Sequence, residues 1–337
     1  MSLTKEYGLV LTGGGGKGAY QIGAWKALDE LGITPRIKAV AGTSVGALNA
    51  LMLCQSDYKT AEETWLNVDQ DDMLFTDDLT KREIVNKEFE NMYEQTELSE
   101  KPDLMRFIVT LSILLPSSIP VIEICSPFLK LFCRKCNFDL DWTKSISELI
   151  RYSIVKGGAF TQEGLAKIID DLLMITQNFS KIPCFVTLSK AGDIDTFLEK
   201  SNEEYFNLIN KTPMEVREIV LASAALPLVY PKRKIGTSKY YDGGWGDNVP
   251  IKPLYDSGLK DIIVIYLQNN KHGKLKKQFK EEENLFPGCN IIRIIPNNSF
   301  SDGIFDTITV SRELTQSRIK IGYNDTISQL KKYMQTV

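Results

Sequence analysis

Gly42-Thr43-Ser44-Val45-Gly46 sets a serine between two glycines, after the apolar run Ile37 to Ala41 and before a helix pattern from Ala47 to Leu53. A serine on a sharp strand-to-helix turn fits a nucleophile elbow, in which flanking glycines remove Cβ atoms that would collide. The helix start beyond it offers free N–H groups that favour negative charge. A plain strand–turn–helix with a small polar cap uses the same five residues, so the pentapeptide alone leaves both readings open.

A serine hydroxyl is a useful nucleophile only when a neighbouring base takes its proton. The chain has one histidine, His272. The order Ser44, Asp242, His272 is that of α/β-hydrolases, yet His272 lies in the polar, basic stretch Asn269 to Lys274. A Ser44–Asp242 dyad is the better expectation. Asp242 follows Tyr240 and Tyr241 and precedes Gly243 and Gly244. Asp-Gly by itself is a turn signal. As a base the aspartate needs burial to lift its pKa from about 4.

Gly13-Gly14-Gly15-Gly16-Lys17-Gly18 is the third chemical feature. Gly13-x-Gly15-x-x-Gly18 between a strand and a helix has the dinucleotide spacing, but that reading needs a carboxylate at the end of the second strand. Ala41-Gly42-Thr43-Ser44 has none there. A phosphate loop needs Ser or Thr after its lysine, and Gly18 follows Lys17. An oxyanion hole remains: successive glycines let backbone N–H groups converge on the charge that forms when a serine attacks a carbonyl. Lys17 adds positive field or holds the loop.

These residues need a frame that brings them together. Tyr7 to Leu11 reads as a strand, Ala19 to Leu31 as a helix stopped by Gly32, Ile37 to Ala41 as a second strand. A βαβα start implies a parallel sheet with helices packed on it. Further helices are expected over Tyr58–Asn67, Thr161–Met174, Pro213–Ala225 and Arg312–Tyr333, and strands over Pro183–Leu188, Ile262–Leu267 and Ile291–Ile295. Ser201-x-x-Glu204 reads as a capping box opening a helix with Tyr205, Phe206 and Leu208. Lys271 to Asn284 reads as an exposed charged segment.

The chain of 337 residues carries a net charge of −3 and six scattered cysteines. No basic stripe points to nucleic acid. Cys133-x-x-Cys136 has only Cys125 nearby, too few for a zinc site, and reduced thiols are expected. Asp69 to Asp72 lacks calcium-loop spacing. The start, Met1 to Glu6, has no signal-peptide apolar region, so a cytoplasmic protein is expected. Phe107 to Ile122 holds no charged residue but is broken by Pro116 and Pro120, too short and interrupted for a transmembrane helix. The apolar stretch between Phe89 and Gly158 reads as a helical subdomain with its own core, as a lid or membrane-contact surface over the active site, or as both.

Thr12-Gly13-Gly14-Gly15-Gly16-Lys17-Gly18-Ala19, Gly42-Thr43-Ser44-Val45-Gly46-Ala47 and Asp242-Gly243-Gly244, in that order, resemble the patatin-like phospholipases. Ala222-Ser223-Ala224-Ala225-Leu226-Pro227 and Asp247-Asn248-Val249-Pro250 are similar to that family's surroundings. The resemblance covers roughly 5–60 and 160–325. It implies an α/β three-layer fold, a central mostly parallel sheet flanked by helices, with a helical insertion at 89–160 between core parts 1–88 and 161–337. It implies Ser44 as nucleophile, Asp242 as base, and Gly14, Gly15 and Gly16 as oxyanion hole. Gly13, Lys17, Gly18, Gly42, Gly46, Gly243 and Gly244 complete the motifs; Lys17 stands where the family usually has Arg. It implies hydrolysis of fatty-acyl esters of phospholipids or lysophospholipids with no metal or other cofactor, and peripheral contact with membranes. Acyl transfer by the same dyad and a catalytically silent lipid-binding protein are the alternatives.

Overall fold

Leu9-Val10-Leu11, Val40-Ala41 and Ile262 to Ile265 are apolar at consecutive positions, as strands covered on both faces must be. The computed structural model describes residues 5–74, 160–175, 182–191, 202–227, 229–269, 273, 275–297, 307 and 309–336. Its elements run β1 (Tyr7–Leu11), α1 (Ala19–Glu30), β2 (Ile37–Thr43), α2 (Val45–Gln55), α3 (Tyr58–Asn67) and α4 (Gln70–Met73). There follow α5 (Glu163–Ile175), β3 (Cys184–Lys190), β4 (Glu203–Asn207), α6 (Pro213–Ser223), β5 (Arg233–Ile235) and β6 (Ser238–Asp242). The chain closes with α7 (Lys252–Asp256), β7 (Asp261–Ile265), α8 (Lys276–Leu285), β8 (Asn290–Ile294) and α9 (Arg312–Thr336). Nearly all of the 89–160 insertion, including Phe107 to Phe132 and Cys125, Cys133 and Cys136, lies outside the described residues, as does His272.

The described strands form one eight-stranded mixed sheet, β5-β6-β3-β2-β1-β7-β8, with β4 also on β3. The centre, β3-β2-β1-β7-β8, is parallel throughout. The β3–β4, β3–β6 and β5–β6 pairs are antiparallel. Strand alternation divides the core in two. Leu9, Leu11, Ile263 and Ile265 pack with α1, α2, α6 and α9 residues such as Ile22, Leu51, Val220 and Leu330. Val10, Ile262 and Val264 pack on the other face with Ile251, Leu254 and Leu275, at α7 and the start of α8. The result is three layers, helix–sheet–helix. No helix among the described residues is long and apolar enough to cross a membrane.

Glu203–Asn207 is a strand, not the helix that Ser201-x-x-Glu204 suggested. Its five residues pair antiparallel with Phe185 to Ser189. A run this short cannot fix a period of its own, and the second edge of β3 would otherwise present unpaired backbone groups. Lys271 to Asn284 includes much of α8, whose Glu282 is buried against Tyr266 and Arg293 at 2.7 and 3.0 Å. The chain leaves at α4 and returns at α5 to the same place: a Cβ on Gly164 would stand 2.5 Å from the Cα and carbonyl oxygen of Asp72. Tyr230 also donates its hydroxyl to the Met73 carbonyl.

Candidate active site

Two strands meet head-on beside β3. β2 reaches as far as Thr43, opposite Thr187. β6 comes from the other direction and reaches Asp242, opposite Leu188. β4 is the partner of both Thr187 and Leu188 as well. A strand residue has one neighbour per edge, so β4 fills one edge and β2 and β6 share the other. Their C-terminal ends therefore stop at consecutive positions, which brings residues 44 and 242 together across two hundred positions of sequence.

At the end of β2 the chain must turn at once into α2. Ser44 takes φ 56° and ψ −124°, a left-handed conformation that costs a non-glycine residue roughly 1–3 kcal/mol. A Cβ on Gly42 would run into the Gly46 carbonyl, and one on Gly46 into the Leu11 carbonyl, so neither position admits a side chain. Ser44 is the N-cap of α2, but its side chain makes no capping bond. Its carbonyl takes that role, accepting from Ala47 at 2.9 Å. The hydroxyl is thereby left for another partner.

Asp242 stands beside it, close enough for the Ser44 hydroxyl to lower its pKa, and the Gly244 amide donates to Oδ1 at 2.7 Å. Asp242 is 4% exposed. Burial pushes its carboxyl up to about 6, although the Ser44 hydroxyl and the Gly244 amide both pull the other way. Gly243 fits because a Cβ there would enter the Thr187 carbonyl.

The glycine loop lies beside this pair. A Cβ on Gly13 would stand 3.1 Å from the Ser44 Cβ. The Gly13 amide donates to Asn248 Oδ1 at 3.0 Å. Gly14 and Gly15 are half-buried, and Gly16 is buried where a Cβ would stand 2.5 Å from the Thr309 carbonyl. Gly15–Gly18 is a single 3₁₀ turn, whose first amides have no intrahelical acceptors. Lys17 is buried within it, at 5% exposure. A polar relay supports the loop: Trp65 donates to Asn49 Oδ1, Asn49 to Gln21 Oε1 and the Gly18 carbonyl, and Gln21 to the Thr12 carbonyl, at 2.8–3.0 Å.

A sequence profile described as patatin-like phospholipase matches residues 9–255. The chain belongs to the patatin-like phospholipase family. No curated protein matched. Solved structures similar to it include VipD from Legionella pneumophila, at 15% identity and TM-score 0.46, covering 97% of this chain and 67% of that one. The heterodimeric ExoU–SpcU complex from the type III secretion system of Pseudomonas aeruginosa matches at 16% identity and TM-score 0.37, covering 98% and 52%. Human GIVD cytosolic phospholipase A2 matches at 10% identity and TM-score 0.44, covering 96% and 59%. The chain thus spans between about half and two thirds of these relatives' lengths.

Two residues of the family-like surroundings, Ser223 and Asn248, were given no role by the sequence and hold the candidate site in place. Ser223 Oγ accepts from the Ser44 amide and donates to the Thr187 carbonyl, both at 2.8 Å. Asn248 joins the Gly13 amide to the Gly244 turn, where a Cβ would stand 3.2 Å from its Oδ1. The signal in the sequence was the small-residue run Ala222 to Ala225 at the end of α6, where a polar side chain with no room for solvent must bond to backbone. Ser223→Ala removes both bonds, one from the part-buried Ser44 amide and one to the buried Thr187 carbonyl. It should destabilise the fold by about 1–3 kcal/mol, read as a lower urea midpoint; an unchanged midpoint would mean that water replaces the hydroxyl.

Proposed function

We propose that this protein is a serine acyl-hydrolase acting on phospholipids or lysophospholipids at membrane surfaces. The observation that carries the reading is the meeting of β2 and β6 at consecutive positions of β3, which sets the Ser44 hydroxyl against the buried Asp242 carboxylate. A carboxylate lifted to about 6 is still largely ionised at neutral pH and is a better base than an ordinary one. In the first half-reaction Asp242 takes the hydroxyl proton as Ser44 Oγ attacks the acyl carbonyl carbon. The amides of Gly14, Gly15 and Gly16 bind the oxyanion. As it collapses, the ester C–O bond breaks and Asp242 gives its proton to the leaving alcohol. In the second, Asp242 takes a proton from water, hydroxide attacks the acyl-enzyme, and the proton returns to Ser44 as the fatty acid departs. The residues involved need no metal.

A fluorophosphonate probe and lipid product analysis test this. Label on Ser44 together with free fatty acid is the expected result. No label and no fatty acid would leave a lipid-binding protein, and an acylated alcohol in place of fatty acid would make it an acyltransferase. His272→Ala should keep full activity; an inactive His272→Ala protein that still melts normally would replace the dyad with a triad.

A further inference from the structure

The hairpin that delivers Asp242 is basic on one face. Lys234 of β5 lies directly opposite Lys239 of β6, and opposed residues of an antiparallel pair point the same way. Alternation puts Lys232 and Tyr241 on that face as well, and the Lys232 ammonium sits 4.9 Å from the centre of the Tyr241 ring. All three lysines are exposed. Among the described residues none of them has a carboxylate partner. Glu218 and Glu204 are engaged on the opposite face, by Arg233 and by Tyr240 at 2.7 Å each, and the exposed Glu203 shares the lysine face two strands away, in the row of Tyr241 and Ser189. Two like charges directly across a ladder weaken it, so Lys234 facing Lys239 does not stabilise the hairpin. The net charge of the chain is −3, so this positive face runs against the whole. Three residues past Asp242, Trp245 is 45% exposed. An exposed indole in the turn that follows a basic hairpin suits the boundary between lipid headgroups and acyl chains.

We infer that the β5–β6 hairpin face, Lys232, Lys234 and Lys239, with Trp245 of the turn that follows, docks on an anionic bilayer. The inference rests on the reading of the site as lipid-directed, and it specifies the surface and its charge preference. A flat anionic membrane matches charge spread along an exposed ribbon, and the indole distinguishes it from a purely electrostatic partner such as nucleic acid.

Sedimentation with vesicles tests it, in the full chain carrying Ser44→Ala so that no lipid is consumed. One set is phosphatidylcholine, the other phosphatidylcholine and phosphatidylserine in equal parts. Binding should favour the mixed vesicles and fall as salt is raised. Each lysine near an anionic surface is worth roughly a factor of five, so K232Q/K234Q/K239Q should lose about a hundredfold in partitioning. Tryptophan emission should shift to the blue on binding, and Trp245→Phe should remove that shift. Equal binding to both vesicle sets, wild-type partitioning by the triple variant, or an emission shift that survives Trp245→Phe would each overturn the inference. The hydrolase reading is judged separately, by probe labelling and fatty-acid release from a monomeric short-chain ester.

Discussion

Ser44→Ala is expected to yield a folded protein that releases no fatty acid and takes no fluorophosphonate. Removing the attacking oxygen of a serine hydrolase costs several orders of magnitude in kcat, on the order of 10⁴-fold or more. The fold should survive, because the Ser44 contacts that hold the elbow are made by its backbone. Its amide binds Ser223 and its carbonyl caps α2, and alanine keeps both. The glycines that give the turn its room are untouched. Release of fatty acid at the wild-type rate by a well-folded Ser44→Ala protein would end the proposal at its root. Partial loss with a collapsed melting curve would instead indict the strained turn, and circular dichroism on the same sample separates the two outcomes.

Asp242→Asn is expected to lose activity and gain stability. The folded protein holds the Asp242 carboxyl at about 6, above its unfolded value, because burial disfavours the charge. A raised carboxyl contributes its full stability below the unfolded pKa of about 4 and loses that contribution as pH rises through about 6. At pH 7 and above the wild type therefore carries a penalty of about 3 kcal/mol for holding this charge inside. Asparagine keeps an oxygen for the Gly244 amide and carries no charge to bury. Its melting temperature should exceed the wild type's at pH 7–8, with the difference closing toward pH 4. The wild-type kcat/KM should rise through an acidic limb near pH 6, where the carboxylate ionises. A melting difference that is the same at both ends of the range would show that the carboxyl is not held as its burial implies.

Most of this frame could be read from the residues. β1 and α3 have the boundaries that the hydrophobic pattern gives, and α1 and β2 differ only by one or two residues at one end. Those segments are long enough, and apolar enough, for their own period to decide. The pairing of Ser44 with Asp242 was legible as chemistry, since a serine elbow needs a base, but not as geometry. What brings them together is the shared edge of β3, and the five-residue strand β6 is too short to have a pattern of its own from which that edge could be inferred. β4 was read with the wrong period for the same reason: its state is set by an open edge elsewhere in the chain. Ser223 and Asn248 stood in stretches similar to the family's surroundings but had no role there, because their work is bonding to backbone that lies far away in sequence.

The contact of Gly164 with Asp72 has a practical corollary. Everything from 75 to 159 hangs between two points that already touch, so a short flexible splice there closes a gap rather than opening one. Closing a small loop costs less chain entropy than closing a large one, by a few tenths of a kcal/mol to about 2. A miniaturised protein built on that splice asks directly whether the described core assembles without the chain in between.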